Sequence, residues 1–136
     1  MTKQRKIIDA HAHIFLGKIA ERASESIRDF YHLNMGFAGY PHTLVERGSK
    51  IGVYKYLVCS TATKPEQVFS INNFIAQKCQ KYPQFFGFGS LHPRMEKEQF
   101  AAEIDRIRKL GLHGIKLHSD FQRFNIDDPD MLPVYR

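Results

Sequence analysis

The sequence predicts an α/β fold built from parallel βα units, and three observations predict it. Short apolar runs of strand length alternate four times, without exception, with longer stretches whose apolar residues recur at helical spacing. Proline or glycine marks the changes of period, at Pro65, Pro83 and Gly111. The second run, YKYLVCS, mixes aromatic and branched apolar residues on both parities, as burial on both faces of a parallel sheet requires. With 43% apolar residues in 136, the chain has enough material for one core and is one domain's worth at most.

The first strand is Ile7 to Phe15, IIDAHAHIF, apolar at its start and polar towards its end, with Asp9, His11 and His13 at every second position. Residues i and i+2 of a strand share a face about 7 Å apart, so the two imidazoles can reach one metal ion. Two readings stand: a metal half-site, or a hydrogen-bonded polar strand end. Gly17 to Leu33 carries Ile19, Ala20, Ala23, Ile27, Phe30 and Tyr31 in a helical stripe. NMGFAGYPHT then reads as a glycine-rich loop ending in a proline-bearing turn, and LVERGSKIG as a short second helix. An insertion directly after the first strand forms part of a substrate lid or a surface excursion packed on the rim.

Tyr54 to Ser60 is the second strand. Thr61 and Thr63 offer capping hydroxyls before Pro65, and the helix to Tyr82 buries Val68, Ile71, Phe74, Ile75 and Cys79. Phe85 to Leu91, FFGFGSL, is the third strand, and its glycines predict a close approach of backbone or ligand. His92, just past its C-terminal end, is placed for substrate binding or for capping and packing. Met95 to Leu110 is an amphipathic helix facing Phe100, Ala101, Ile104, Ile107 and Leu110 inward, stopped by Gly111. His113 to Ser119 is the fourth strand, with Lys116 and His118 on one face and Ile115 and Leu117 on the other. Lys116 then either enters a site beside His118 or pairs with a carboxylate such as Asp9. Asp128 before Pro129 reads as an N-cap.

Net charge is +6, dispersed apart from Lys3, Arg5 and Lys6 at the terminus and Arg106, Arg108 and Lys109 late in a helix. That balance suits anionic small molecules; without a basic stripe interleaved with aromatics, a nucleic-acid partner is not expected. Cys59 and Cys79 lack metal-type spacing and read as buried thiols of a reducing compartment. No apolar run has the length of a membrane span, so a cytoplasmic protein with no membrane partner is expected.

The segments IDAHAHIF, GFGSLHPR and GIKLHSDFQRFNIDDPDMLPVY together resemble the amidohydrolase superfamily, and within it the amidohydrolase-related branch that includes non-oxidative aromatic-acid decarboxylases. The resemblance implies a (β/α)8 barrel enzyme with a divalent metal, zinc foremost. His11 and His13 would be its first two ligands, and His118 and Phe121 would lie on the loop lining the substrate pocket. Such a barrel has eight strands and about 250 residues. Residues 1–136 therefore correspond to its N-terminal half, expected to be truncated. The later histidine ligands and the catalytic aspartate have no positions here, so the chain alone is expected to be inactive. The implied activity of the whole is hydrolysis of an amide, ester or lactone by metal-activated water. The alternatives are non-oxidative decarboxylation of an aromatic or unsaturated carboxylic acid, or a vestigial, non-catalytic half-barrel. Open strand edges and an uncovered polar face further predict association, as a homo-oligomer or an aggregate.

Overall fold

The computed structural model describes residues 5–135; Lys3 of the terminal basic cluster lies outside them. Parallel strands alternate with helices and do not close into a barrel. In chain order the elements are β1 (Ile7–His13), α1 (Ala20–Tyr31), α2 (Pro41–Lys50), β2 (Val53–Cys59), α3 (Val68–Lys81), β3 (Phe85–Gly87), β4 (Gly89–Ser90), α4 (Lys97–Lys109), β5 (Ile115–Lys116), α5 (Ser119–Gln122) and α6 (Leu132–Tyr135). Single 3-10 turns at Pro65–Gln67 and Pro129–Met131 lead into α3 and α6. No helix of the described residues is long and apolar enough to cross a membrane.

The predicted third strand is two strands, because the chain changes partner at Phe88. Phe85, Phe86 and Gly87 pair with Tyr56, Leu57 and Val58 of β2. The Phe88 N–H still donates to the Val58 carbonyl at 3.0 Å, but the Gly89 N–H donates to Gly114 at 2.8 Å, and Gly89 and Ser90 then pair with Ile115 and Lys116. Both glycines are needed for closeness. A Cβ at Gly87 would lie 2.6 Å from Leu112 and 2.8 Å from Ile75, and one at Gly89 would lie 2.8 Å from Ile107.

The alternation expected in β1 is also corrected. Asp9 pairs with Tyr56 but Ala12 with Val58, so three steps on β1 match two on β2: a bulge. Tyr56 and Val58 share a face, which puts Asp9 and Ala12 on it and leaves His11 and His13 on the other. The cause is local. Asp9 Oδ1 accepts the His11 N–H at 3.0 Å, an acceptor outside the ladder.

The helix-facing side of the strands is the core. Ile14, Val58, Ile75 and Leu91 are fully buried there, and Ile115 and Leu117 pack against the same cluster. Burying one such side chain is worth about 1.5–3 kcal/mol. α3 contributes Val68, Phe74, Ile75 and Ala76, with Ile71 and Cys79 half-buried. It also buries Asn72, whose Nδ2 donates to the Ser90 carbonyl at 3.0 Å and to Glu103 at 2.7 Å while its Oδ1 accepts the Ser90 N–H at 2.6 Å. One amide thus ties α3 to β4 and α4. In α4, Phe100 and Ile107 are buried but Ala101, expected inward, is exposed.

Three smaller corrections follow from hydrogen bonding and proline. Pro41 opens α2 at its first turn, so the segment read as a loop ends in a helix. The turn before α3 is capped from within: Gln67 Oε1 accepts from the Thr63 and Lys64 N–H groups, and the Thr63 hydroxyl donates to it too. The Thr61 hydroxyl is buried without a partner. Gly111 stops α4 as expected, at φ +76°, and Asp128 caps the turn at Pro129 through the Asp130 N–H at 3.0 Å.

Candidate metal centre and substrate cavity

The C-terminal ends of the strands meet in one region, held there by a buried glutamine. Gln122 Nε2 donates to the carbonyls of Ala62 and Leu91 at 2.9 and 2.6 Å, and its Oε1 accepts the His118 N–H at 2.8 Å. The segments after β2, β4 and β5 are thereby joined at one side chain.

At the end of β1, the Nε2 atoms of His11 and His13 lie 2.9 Å apart. For metal–nitrogen bonds of about 2.0–2.1 Å, two ligands at a right angle stand about 2.9 Å apart. The pair therefore fits two adjacent coordination positions; without an ion, one ring donates to the other. His13 is half-buried, and burial first, then the neighbouring His11, Lys116 and His118, pushes its pKa down to about 4. It is neutral at neutral pH, the form that binds metals. Cys59, opposite His13 in the β1–β2 ladder, completes a group of three donor atoms that all lie within 4.8 Å of one another.

The histidines open into a cavity of about 680 Å³ between β1, α1, the following loop and α2. Its walls include Phe15, Tyr31, Phe37, Arg47, His118 and Phe121. The Arg47 guanidinium stacks over Phe37 at 4.3 Å. Tyr31 reaches across 87 residues to place its hydroxyl 3.2 Å from His118 Nε2, and donates to Asp120 at 3.3 Å. Phe121 packs on both rings, 4.4 Å from His118 and 5.8 Å from Tyr31. His118 Nδ1 accepts the Phe121 N–H at 3.5 Å, which leaves the proton on Nε2, facing the tyrosine oxygen. Burial and then Lys116 hold the His118 pKa below its ordinary value, against an opposing pull from Asp120.

Of the residues singled out from the sequence, the structure brings Asp9, His11, His13, His118 and Phe121 to this one cavity. Lys116 is half-buried behind it, near enough to act on His13, Cys59 and His118. Among the described residues it has no carboxylate partner, and Asp9, the partner considered for it, bonds the His11 backbone instead. His92 is not in the cavity. It is wholly buried, its Nδ1 accepting the Arg94 N–H at 3.1 Å and its Nε2 without a hydrogen-bond partner among the described residues. Tyr31, Phe37, Arg47 and Cys59 were not picked out as site residues. The first three share one signal, aromatic and basic residues in the insertion after the first strand.

No family model matches the chain. Over 67 residues it is 39% identical to 2-amino-3-carboxymuconate-6-semialdehyde decarboxylase of Dictyostelium discoideum, a stretch covering 48% of this chain and 18% of that protein. Among solved structures it is similar to 5-carboxyvanillate decarboxylase of Novosphingobium aromaticivorans, with bound manganese and 3-methoxy-4-hydroxy-5-nitrobenzoic acid (TM-score 0.66, 22% identity, 94% of this chain and 46% of that one). It is also similar to a probable 2-pyrone-4,6-dicarboxylic acid hydrolase of Acinetobacter baumannii with citric acid bound (TM-score 0.52, 16% identity, 90% and 42%). These likenesses show the fold. The chain spans less than half the length of either solved protein.

Proposed function

We propose that this chain supplies the first metal ligands and one wall of the substrate cavity of a metal-dependent, non-oxidative decarboxylase of the amidohydrolase superfamily, acting on an aromatic or unsaturated carboxylic acid. The observation that carries the proposal is the pair of imidazole nitrogens 2.9 Å apart at the mouth of an aromatic-walled cavity. Hydrolysis, the first reading from sequence, becomes the second: the sequence relative and the solved structure with the higher TM-score are both named as decarboxylases, and the probable hydrolase has the lower.

His11 and His13 would hold a divalent ion through Nε2. When bound, that ion supplies Lewis-acid polarisation of substrate oxygen atoms. The chain's own groups do the rest of what lies within it. Phe15, Phe37 and Phe121 give a planar conjugated acid apolar surface and displace water. Arg47 and the net charge of +6 attract a carboxylate. Losing carbon dioxide breaks a carbon–carbon bond, leaves its electron pair on the substrate carbon, and requires a proton there. His118, which lines the same cavity as the histidine pair and is hydrogen-bonded to the Tyr31 hydroxyl, would supply that proton.

The test offers aromatic and unsaturated carboxylic acids and lactones to the whole enzyme of which this chain supplies a part, loaded with zinc or manganese. Carbon dioxide release is expected, falling by about 10²-fold or more in His11→Ala and His13→Ala. Lactone opening without carbon dioxide would put hydrolysis first. Metal binding with neither reaction would leave the vestigial half-barrel.

A further inference from the structure

We infer that Cys59 is a third ligand of the metal held by His11 and His13, making the site a His–His–Cys tripod that selects thiophilic ions, zinc or cobalt, over manganese. The inference rests on the metal reading above and deepens it.

The argument begins with register. Cys59 and His13 are ladder partners on adjacent parallel strands, and the Ile14 N–H donates to the Cys59 carbonyl at 3.1 Å, so their spacing is set by the sheet rather than by a loop. The donor atoms of His11, His13 and Cys59 all lie within 4.8 Å of one another. A tetrahedral site with metal–nitrogen bonds of about 2.0–2.1 Å and a metal–sulfur bond of about 2.3 Å needs nitrogen–sulfur separations of about 3.5 Å and opens the histidine pair from 2.9 Å to about 3.3 Å. The gap is about 1.3 Å at most, and the only hydrogen bond the thiol would give up among the described residues is a loose one to the Ala12 carbonyl at 3.8 Å.

Burial gives the tripod a direction. Cys59 is 1% exposed, His13 half-buried and His11 exposed, so sulfur forms the floor and the imidazoles the rim. The open side of the tripod then faces the cavity, as a site that admits a substrate requires. Charge agrees. Lys116 lies close enough to act on both His13 and Cys59, and an ammonium there opposes a second cation held by neutral imidazoles alone. A thiolate offsets both. On binding, the S–H bond is replaced by a sulfur–metal bond and the proton goes to solvent, with no change of oxidation state. Thiolate is a soft donor, which favours zinc and cobalt and does little for manganese.

Cobalt(II) titration of the intact chain tests this by absorption spectroscopy, without any activity. A sulfur-to-cobalt charge-transfer band in the near ultraviolet is expected in the wild-type protein and in Cys79→Ser, and is expected to vanish in Cys59→Ser. In that variant zinc affinity should fall by roughly tenfold or more while manganese affinity moves less than about threefold. Visible cobalt bands that depend on His11 but come without a charge-transfer band in the wild type would overturn the sulfur ligand and leave the histidine pair standing. A chain that binds no cobalt would overturn the pair as well. The wild-type spectrum decides the point even if Cys59→Ser folds poorly.

Discussion

On the helix-facing side of the strands, Ile14, Val58 and Leu91 are wholly buried against α3 and α4, while on the concave side Ile8 is 56% and Phe86 39% exposed. The same strands therefore carry two faces under different rules. One is close-packed, where volume and hydrogen bonding decide what is tolerated. The other carries His11, His13, Lys55, Phe86 and Lys116, all exposed or half-buried, so chemistry can be placed there at less cost in packing. Stability should follow the first face and metal binding the second.

The widest separation is expected between two isoleucines. Ile75, fully buried beneath β3, should lose about 2–5 kcal/mol on Ile75→Ala, the usual cost of a cavity in a close-packed core. Ile8→Ala, on the concave side, should stay within about 0.5 kcal/mol, as surface changes do. Urea denaturation midpoints of the two variants measure the difference directly. Similar losses at both positions would mean that the concave face is covered in solution.

A smaller effect separates the histidines by pH. His92 is wholly buried, and burial, then Arg94, lowers its pKa below the ordinary imidazole value of about 6.5. A depressed folded pKa means the unfolded chain takes up the proton first. Stability from this source is fully present above about pH 6.5 and is lost as pH falls towards the folded value. Midpoints measured from pH 7.5 downwards should therefore decline on the acid side, and His92→Gln should flatten part of that decline. The slope that remains belongs to His13 and His118, whose pKa values are lowered as well. A decline unchanged by His92→Gln would mean that the ring is not held neutral in the folded chain.

What could be read from the sequence was what depends on near neighbours. The period-two spacing of His11 and His13 places their rings together because i and i+2 share a face, and the helices show in their apolar spacing and in Pro65 and Gly111. Period-two spacing puts Asp9 in step with His11 and His13; it does line their cavity, but its side-chain bond to the His11 backbone goes with a bulge that no periodicity records and that offsets it in the ladder. The break at Phe88 depends on β5, far along the chain. The helical spacing places Tyr31 in an inward stripe, yet it is partly exposed and turned to His118, a meeting across 87 residues. Asn72 sits among ordinary polar helix residues, and nothing local tells a buried amide from a solvated one. His92 was correctly placed after the third strand, but its burial comes from how the ends of the strands pack.

The smallest expected effect tests the concave face itself. Phe86 lies in the middle of that face, with Lys55 Nζ 5.0 Å above its ring and His113 meeting it edge-on at 5.5 Å. A cation over an exposed ring is worth about 0.5–1 kcal/mol, and part of the ring is already in water. Phe86→Ser should therefore cost no more than about 1 kcal/mol in the midpoint, and that cost should not depend on protein concentration. The same substitution removes apolar surface that a second copy of the chain would bury on association. A loss of about 2 kcal/mol or more, growing with protein concentration, would show the ring buried between copies. The difference between the two faces would then describe the single chain and not the form it takes in solution.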